Sequence, residues 1–359
     1  MQFLKFKSLL PAAALAVLCS CSTFDEEKIT LDGERISVLD GETALQPDYA
    51  PGQVKIVLPA PYTNTAWSQN GGNAAHMMGH LSSDSKLKEL WESGFGEGSS
   101  KRDFLIAAPV SAHKAVFTID ADGIVNAFRL DDGRKIWKRR LKPLIKDDIS
   151  TSLKGAGLAV FDKKVYATTG FGAVFALDMV TGKKLWRYDT ELPIRIAPTA
   201  ERGVVFIQTI DNKLIALNGV DGSVLWDYKS PSEETTLVGG ASPAYSPQQD
   251  TIVAAFSNGE LRAFKASTGS PLWSDILVSR KRTNSPANIN AIKANPVIDG
   301  STVYAVGNNN ILVAIDLRSG ARIWEREIGS INQPWVAGKF MFVLSNNYDL
   351  FAIDRKSVV

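Results

Sequence analysis

Apolar positions along most of this chain fall in short runs, rich in β-branched and aromatic residues and broken by Gly, Asn or Asp. "KVYATTGFGAVFALD" (164–178), "GVVFIQTIDNKLIALN" (203–218), "TIVAAFSNGELRAFK" (251–265) and "TVYAVGNNNILVAID" (302–316) show the pattern. Runs of this length with turn residues between them predict consecutive β-hairpins.

Each run leads into a recurring segment: "AFRLDDGRKIW" (127–137), "ALDMVTGKKLW" (176–186), "ALNGVDGSVLW" (216–226), "AFKASTGSPLW" (263–273) and "AIDLRSGARIW" (314–324). All five keep Ala, then an apolar residue, then Gly four places before Trp. The spacings between Trp137, Trp186, Trp226, Trp273 and Trp324 are 49, 40, 47 and 51 residues. A unit of that size matches one four-stranded propeller blade. Gly133, Gly182, Gly222, Gly269 and Gly320 follow Asp, Thr or Ser, and they supply the positive φ of the turn between the last two strands. Each Trp then opens the outer strand and lies against the neighbouring blade, with the small Ala leaving room for its ring. A single sheet hardly buries both faces, so the blades are stable only when stacked. The fold expected is all-β: a β-propeller of four-stranded antiparallel blades over residues 67–359.

The two ends of the chain read differently. "MQFLKFK" is basic, "SLLPAAALAVL" is apolar, and "LCSC" follows, which together read as a secretory signal over residues 1–21. The apolar run is too short to span a bilayer, which needs about 20 residues. Residues 22–66 hold scattered Pro and polar residues with little periodicity and read as a linker, with short strands conceivable at "RISVL" and "VKIVL". At the other end, Ala352 and Asp354 begin a further repeat that would place Gly at 358 and Trp at 362. Position 358 is Val and the sequence ends at Val359. Trp91, in "KLKELWESGF" (86–95), lies 46 residues before Trp137 and is in phase with the repeat. Two accounts follow. In one, the chain holds about six blades of an eight-bladed ring. In the other, residues 86–95 supply the last strand of a closed six-bladed ring.

Charge removes one function class. Lys and Arg number 40 against 38 Asp and Glu, a formal charge of +2, which argues against a nucleic-acid partner. "WKRRLKPLIK" and "SRKR" read as solvated faces. "HMMGH" sets His76 and His80 four apart, a spacing that suits a metal on a helix. The neighbouring Gly71, Gly72 and Gly79 argue for a loop, and no third ligand is evident, so no metal site is expected. Removal of Cys19 with the segment before Cys21, together with lipidation of Cys21, would leave no thiol in the body, hence neither disulfide nor cysteine catalysis.

The signature Ala-x-Asp-x-x-x-Gly-x-x-x-Trp resembles the pyrroloquinoline-quinone-type propeller repeat. Leu18-Cys19-Ser20-Cys21 resembles the bacterial lipobox, with Cys21 as the lipidated residue. Together they resemble the BamB family, propeller lipoproteins of the outer-membrane β-barrel assembly machine. That resemblance implies a non-catalytic scaffold without cofactor, lipid-anchored at the outer membrane and facing the periplasm. It implies docking on the barrel-bearing subunit, whose nascent outer-membrane proteins it helps to insert. The resemblance also favours the eight-bladed account, in which Trp91 closes the last blade.

The family's docking patch lies on two inter-blade connections. One aligns with "TTLVGGASP" (235–243), giving Thr235, Leu237, Val238 and Gly239. The other aligns with "NAIKANP" (290–296), giving Ala291 and Lys293 where the family has an acidic pair. The alternatives are an enzyme like the quinone-dependent dehydrogenases and a ligand-binding periplasmic propeller. The dehydrogenases carry adjacent Cys over the cofactor and a calcium held by carboxylate and amide, with an Asp as base. Here Asp131, Asp178, Asp221 and Asp316 stand at repeat-turn positions, where turn chemistry alone would put them.

Overall fold

A computed structural model describes residues 49–50, 53–84, 86–101, 104–144, 155–232, 238–277 and 290–356. The signal segment with Cys19 and Cys21, most of the expected linker, Thr235, Leu237 and Val358 lie outside the described residues. One compact unit runs Ile56–Val359 and so takes in residues 56–66, which the sequence assigns to the linker.

The described residues form no helix. They build six antiparallel sheets in chain order, at 110–140, 155–189, 199–229, 244–276, 297–326 and 335–354, called here blades 1 to 6. Blades 1 to 5 have four strands, each paired with the next in sequence, and blade 6 has three. This is the propeller architecture.

Period-two alternation explains the stacking. In blade 2, Val165 and Ala167 join the apolar cluster shared with blade 1, whereas Tyr166 between them joins the cluster shared with blade 3. Ala173, Phe175 and Leu177 likewise face blade 1, and Val174 and Ala176 face blade 3. Successive side chains leave a strand on opposite faces, so both faces of a middle blade are buried over its inner strands, while the outer strand is polar and largely exposed. Five such clusters join the blades in succession, from 1 with 2 to 5 with 6.

The repeat supplies the lock between blades. Ala127, Ala176, Ala216, Ala263 and Ala314 each stand opposite the Trp of their own blade. Immediately after that Ala the register slips, a bulge that bends the outer strand. The indole N–H of each Trp then donates across the interface, to Met179, Gly219, Ala266, Leu317 and Arg355 carbonyls in turn, at 2.7 to 2.9 Å in four cases and 3.1 Å for Trp186. At Gly182 φ is +65°, and a Cβ there would lie 2.6 Å from the Trp137 ring. Glycine is thus required twice, by its backbone and by the ring resting on it.

Two features were not legible beforehand. Residues 67–79 thread the hub and touch the first strand of every blade. Trp67 pairs with Ser111, Val160 donates to Ser68, and Gln69 bonds Ala200 in both directions. Tyr245 and Ile298 donate to Ala74 and Ala75, and Trp335 donates to Gly79. The second feature concerns blade 6. The outer edge of Leu350–Asp354 pairs with no described residue, and residues 86–95 lie in no strand. The fourth strand that the six-bladed account assigns to 86–95 is therefore not formed. Trp91 nevertheless docks on blade 1 as the other tryptophans do, its N–H on Leu130 at 2.9 Å and its ring against Gly133.

Candidate functional site

The connections that enter the blades converge on one mouth of the hub. Residues 106–108, 195–197, 238–240 and 331–333, with Lys293 and Asn295, border a cavity of about 510 Å³ together with Trp67, Asn70 and Gly71 of the hub segment. These stretches emerge from stacked sheets, so their positions are set by the blades and not by their own sequence.

Hydrogen bonds fix the lining at the hub segment. Asn70 donates to the Ser242 hydroxyl at 3.2 Å, and the Ser242 N–H donates to Asn295 Oδ1 at 2.8 Å. Asn295 Nδ2 donates to Gln333 Oε1 at 3.0 Å, and Gln333 Nε2 to the His76 carbonyl at 2.8 Å. Hub segment and blades 4, 5 and 6 are joined by this chain of amides. Trp67 stacks on Trp335 with ring centroids 6.2 Å apart and forms an apolar wall.

Of the docking residues expected from sequence, the structure brings Val238, Gly239 and Lys293 together at this mouth. Val238 is exposed. A Cβ on Gly239 would lie 3.6 Å from Lys293 Cε, so the two connections touch there. Ala291 requires a correction: it is buried, at 4% exposure, and forms wall beneath Lys293 without presenting a side chain to a partner. The residue that the sequence did not single out is Arg195, which borders the same cavity. Its only sequence signal is a cation in an otherwise apolar inter-blade segment, "LPIRIAP" (192–198).

The other candidate chemistry resolves into structure. Asp178 accepts from the Thr181 N–H at 2.8 Å and hydroxyl at 2.6 Å, and these bonds lower its pKa. Asp316 is held low by Ser319 in the same way, and Asp221 by the Ser223 N–H and hydroxyl. The Arg129 guanidinium holds Asp131 down at about 2. Asp131 and Asp221 are exposed in repeat turns, Asp178 and Asp316 are half-buried at the ends of the strands that lead into theirs, and none of the four lines the cavity.

His76 is buried with φ +59°, and its Nδ1–H donates to the Pro296 carbonyl at 2.7 Å. Its Nε2 has no partner, and burial lowers its pKa to about 4, so the ring is neutral. His80 instead turns Nδ1 to the Pro59 carbonyl at 2.6 Å. Among the described residues no group of three or more His, Cys, Asp or Glu could hold a metal.

The family model described as outer membrane protein assembly factor BamB matches residues 121–357. The chain belongs to that family. A BamB-named relative from Moranella endobia is 26% identical over 276 residues, covering 76% of this chain and 70% of its own. Among solved structures, BamB from Moraxella catarrhalis superposes with a TM-score of 0.58 at 18% identity, covering 73% of each chain. A quinohemoprotein alcohol dehydrogenase from Pseudomonas putida HK5 gives 0.57 at 18% identity, covering 74% of this chain and 48% of its own. At such identities the two structural likenesses report the fold alone. The match that separates a BamB from a dehydrogenase is the family model.

Proposed function

We propose that this chain is a non-catalytic scaffold lipoprotein of outer-membrane protein assembly. It docks through its inter-blade mouth on the periplasmic domains of the barrel-bearing subunit of the β-barrel assembly machine, and it aids insertion of nascent β-barrel proteins. Membership of the BamB family carries this reading, since its relatives bear the name of an outer membrane protein assembly factor. The mouth supports it: exposed Val238 and the Gly239–Lys293 contact form one continuous surface from two connections, rigidly held by the blades behind them. Lipidation at Cys21 anchors the chain in the outer membrane facing the periplasm, a reading supported by the sequence "LCSC" alone.

The test is co-purification. The full chain, extracted from membranes in mild detergent, should bring down the barrel-bearing subunit. Val238→Asp and Lys293→Glu should each reduce recovery several-fold while leaving the unfolding midpoint unchanged. Failure to recover the subunit with the unaltered chain would overturn the assembly reading. Recovery that both variants leave intact would move the docking surface elsewhere. Cys21→Ala should shift the protein from the membrane to the soluble fraction.

A further inference from the structure

We propose that the cavity behind the mouth binds an acidic, extended polypeptide segment. Arg195 and Lys293 hold a carboxylate, and the stacked Trp67–Trp335 pair takes an adjoining apolar side chain. The proposal goes beyond docking of the exposed loops and does not require it.

Charge is the first observation. Arg195 and Lys293 border the cavity, and among the described residues no Asp or Glu lines it. Arg187, Arg262, Arg322 and Arg355 are matched with Asp189, Glu260, Asp275 and Asp299, and Arg139 and Arg202 donate to backbone carbonyls. Arg195 differs in that its Nε is buried and has no hydrogen-bond partner among the described residues. The Arg195 guanidinium is paired with no carboxylate among the described residues and its side chain borders the cavity, so an incoming carboxylate would meet a planar donor group of matching fork geometry.

Shape is the second. About 510 Å³ falls within the usual span of ligand sites, roughly 300–1,000 Å³. The lining at the hub segment is preorganised by the amide chain from Asn70 to Gln333. The cavity lining joins two cations, Arg195 and Lys293, to the stacked indoles of Trp67 and Trp335. A bare inorganic anion would satisfy the cations and leave the indole wall wet. A peptide that sets a carboxylate beside an apolar side chain covers both.

The test uses the purified chain and a fluorescein-labelled octapeptide of alternating Glu and Leu, read by fluorescence anisotropy. The same peptide with Gln for Glu should bind about tenfold or more weakly, since removing one partner of a desolvated charge pair has at least that effect. Arg195→Gln and Lys293→Gln should each weaken the Glu peptide to a similar degree, and Arg195→Lys should fall between, keeping charge but losing the fork. Unfolding midpoints of the variants check that the propeller persists. Should Arg195→Gln fail to fold, Lys293→Gln and a falling affinity with added salt carry the test. Equal affinity for the Glu and Gln peptides, unaltered binding in the folded variants, or displacement by inorganic phosphate as effective as by unlabelled peptide would each overturn the proposal. An unaltered chain that recovers the barrel-bearing subunit but does not bind the Glu peptide would refute the cavity site alone, and one that binds the peptide but recovers no subunit would refute the assembly reading alone.

Discussion

Trp186 and Trp91 make the same contacts in different surroundings. Trp186 rests its ring on Gly222 and donates to Gly219, and Trp91 rests on Gly133 and donates to Leu130. Trp186, however, belongs to a strand, faces Ala176 across the pair, lies 5.8 Å from Tyr166 and is 7% exposed within a cluster spanning two blades. Trp91 sits in no strand, and its neighbours Leu87 and Leu90 are more than four-fifths exposed. The docking geometry therefore needs only a glycine turn on the receiving blade. What the docking is worth depends on how much apolar surface is covered around the ring.

The comparison is tested most strongly by truncating the interior ring. Trp186→Ala should destabilise the chain by about 3–5 kcal/mol in denaturant unfolding. A loss below about 1 kcal/mol would show that stacking without the ring is enough. Next in size is the hub, which tests burial away from the repeat. His76 has a folded pKa near 4 against 6.5 for a free histidine. Between those values the unfolded chain takes up a proton that the folded chain refuses, so stability falls as pH drops from 6.5 towards 4. The full loss is about 3 kcal/mol at most. His76→Asn, which tolerates the left-handed backbone, should flatten that slope in unfolding midpoints taken from pH 7 to pH 4.5.

A pair of glycines then separates backbone strain from ring contact. Gly222 and Gly203 have φ of +79° and +78°. A Cβ on Gly222 would lie 2.7 Å from the Trp186 ring, whereas nothing lies within 4 Å at Gly203. Both Ala variants should lose roughly 1–2 kcal/mol to backbone strain, and Gly222→Ala should lose more. Equal losses would mean that the ring yields freely. Smallest of all, Trp91→Ala should cost less than about 1 kcal/mol, a value typical of surface substitutions. A loss matching that of Trp186→Ala would mean that residues 86–95 are held as firmly as an interior blade.

Strand periodicity, the Ala-to-Trp register and the turn glycines were legible because each rests on local chemistry repeated five times in the chain. The glycines illustrate the limit. Sequence gives the positive φ of Gly182, yet the contact with the Trp137 ring depends on how two blades stack. The hub segment was missed for a similar reason. Residues 67–79 carry no periodicity, and their partners stretch from Ser111 to Trp335, so nothing local announces them. Resemblance placed Ala291 in the docking patch, but burial removes its side chain from reach. Arg195 drew no notice as a single cation in a connecting segment, and only the missing partner at its Nε sets it apart.

The sequence by itself determined the all-β class, the size of each blade and which residues lock one blade to the next, because hairpins, turns and strand alternation are short-range. Tertiary structure alone decided that five connections and the hub segment border one cavity, that Arg195 and Lys293 share it with no carboxylate among the described lining residues, and that Trp91 docks outside any strand. Those outcomes depend on which distant segments meet when the sheets stack. No local pattern encodes that, because burial and desolvation are properties of the assembled faces.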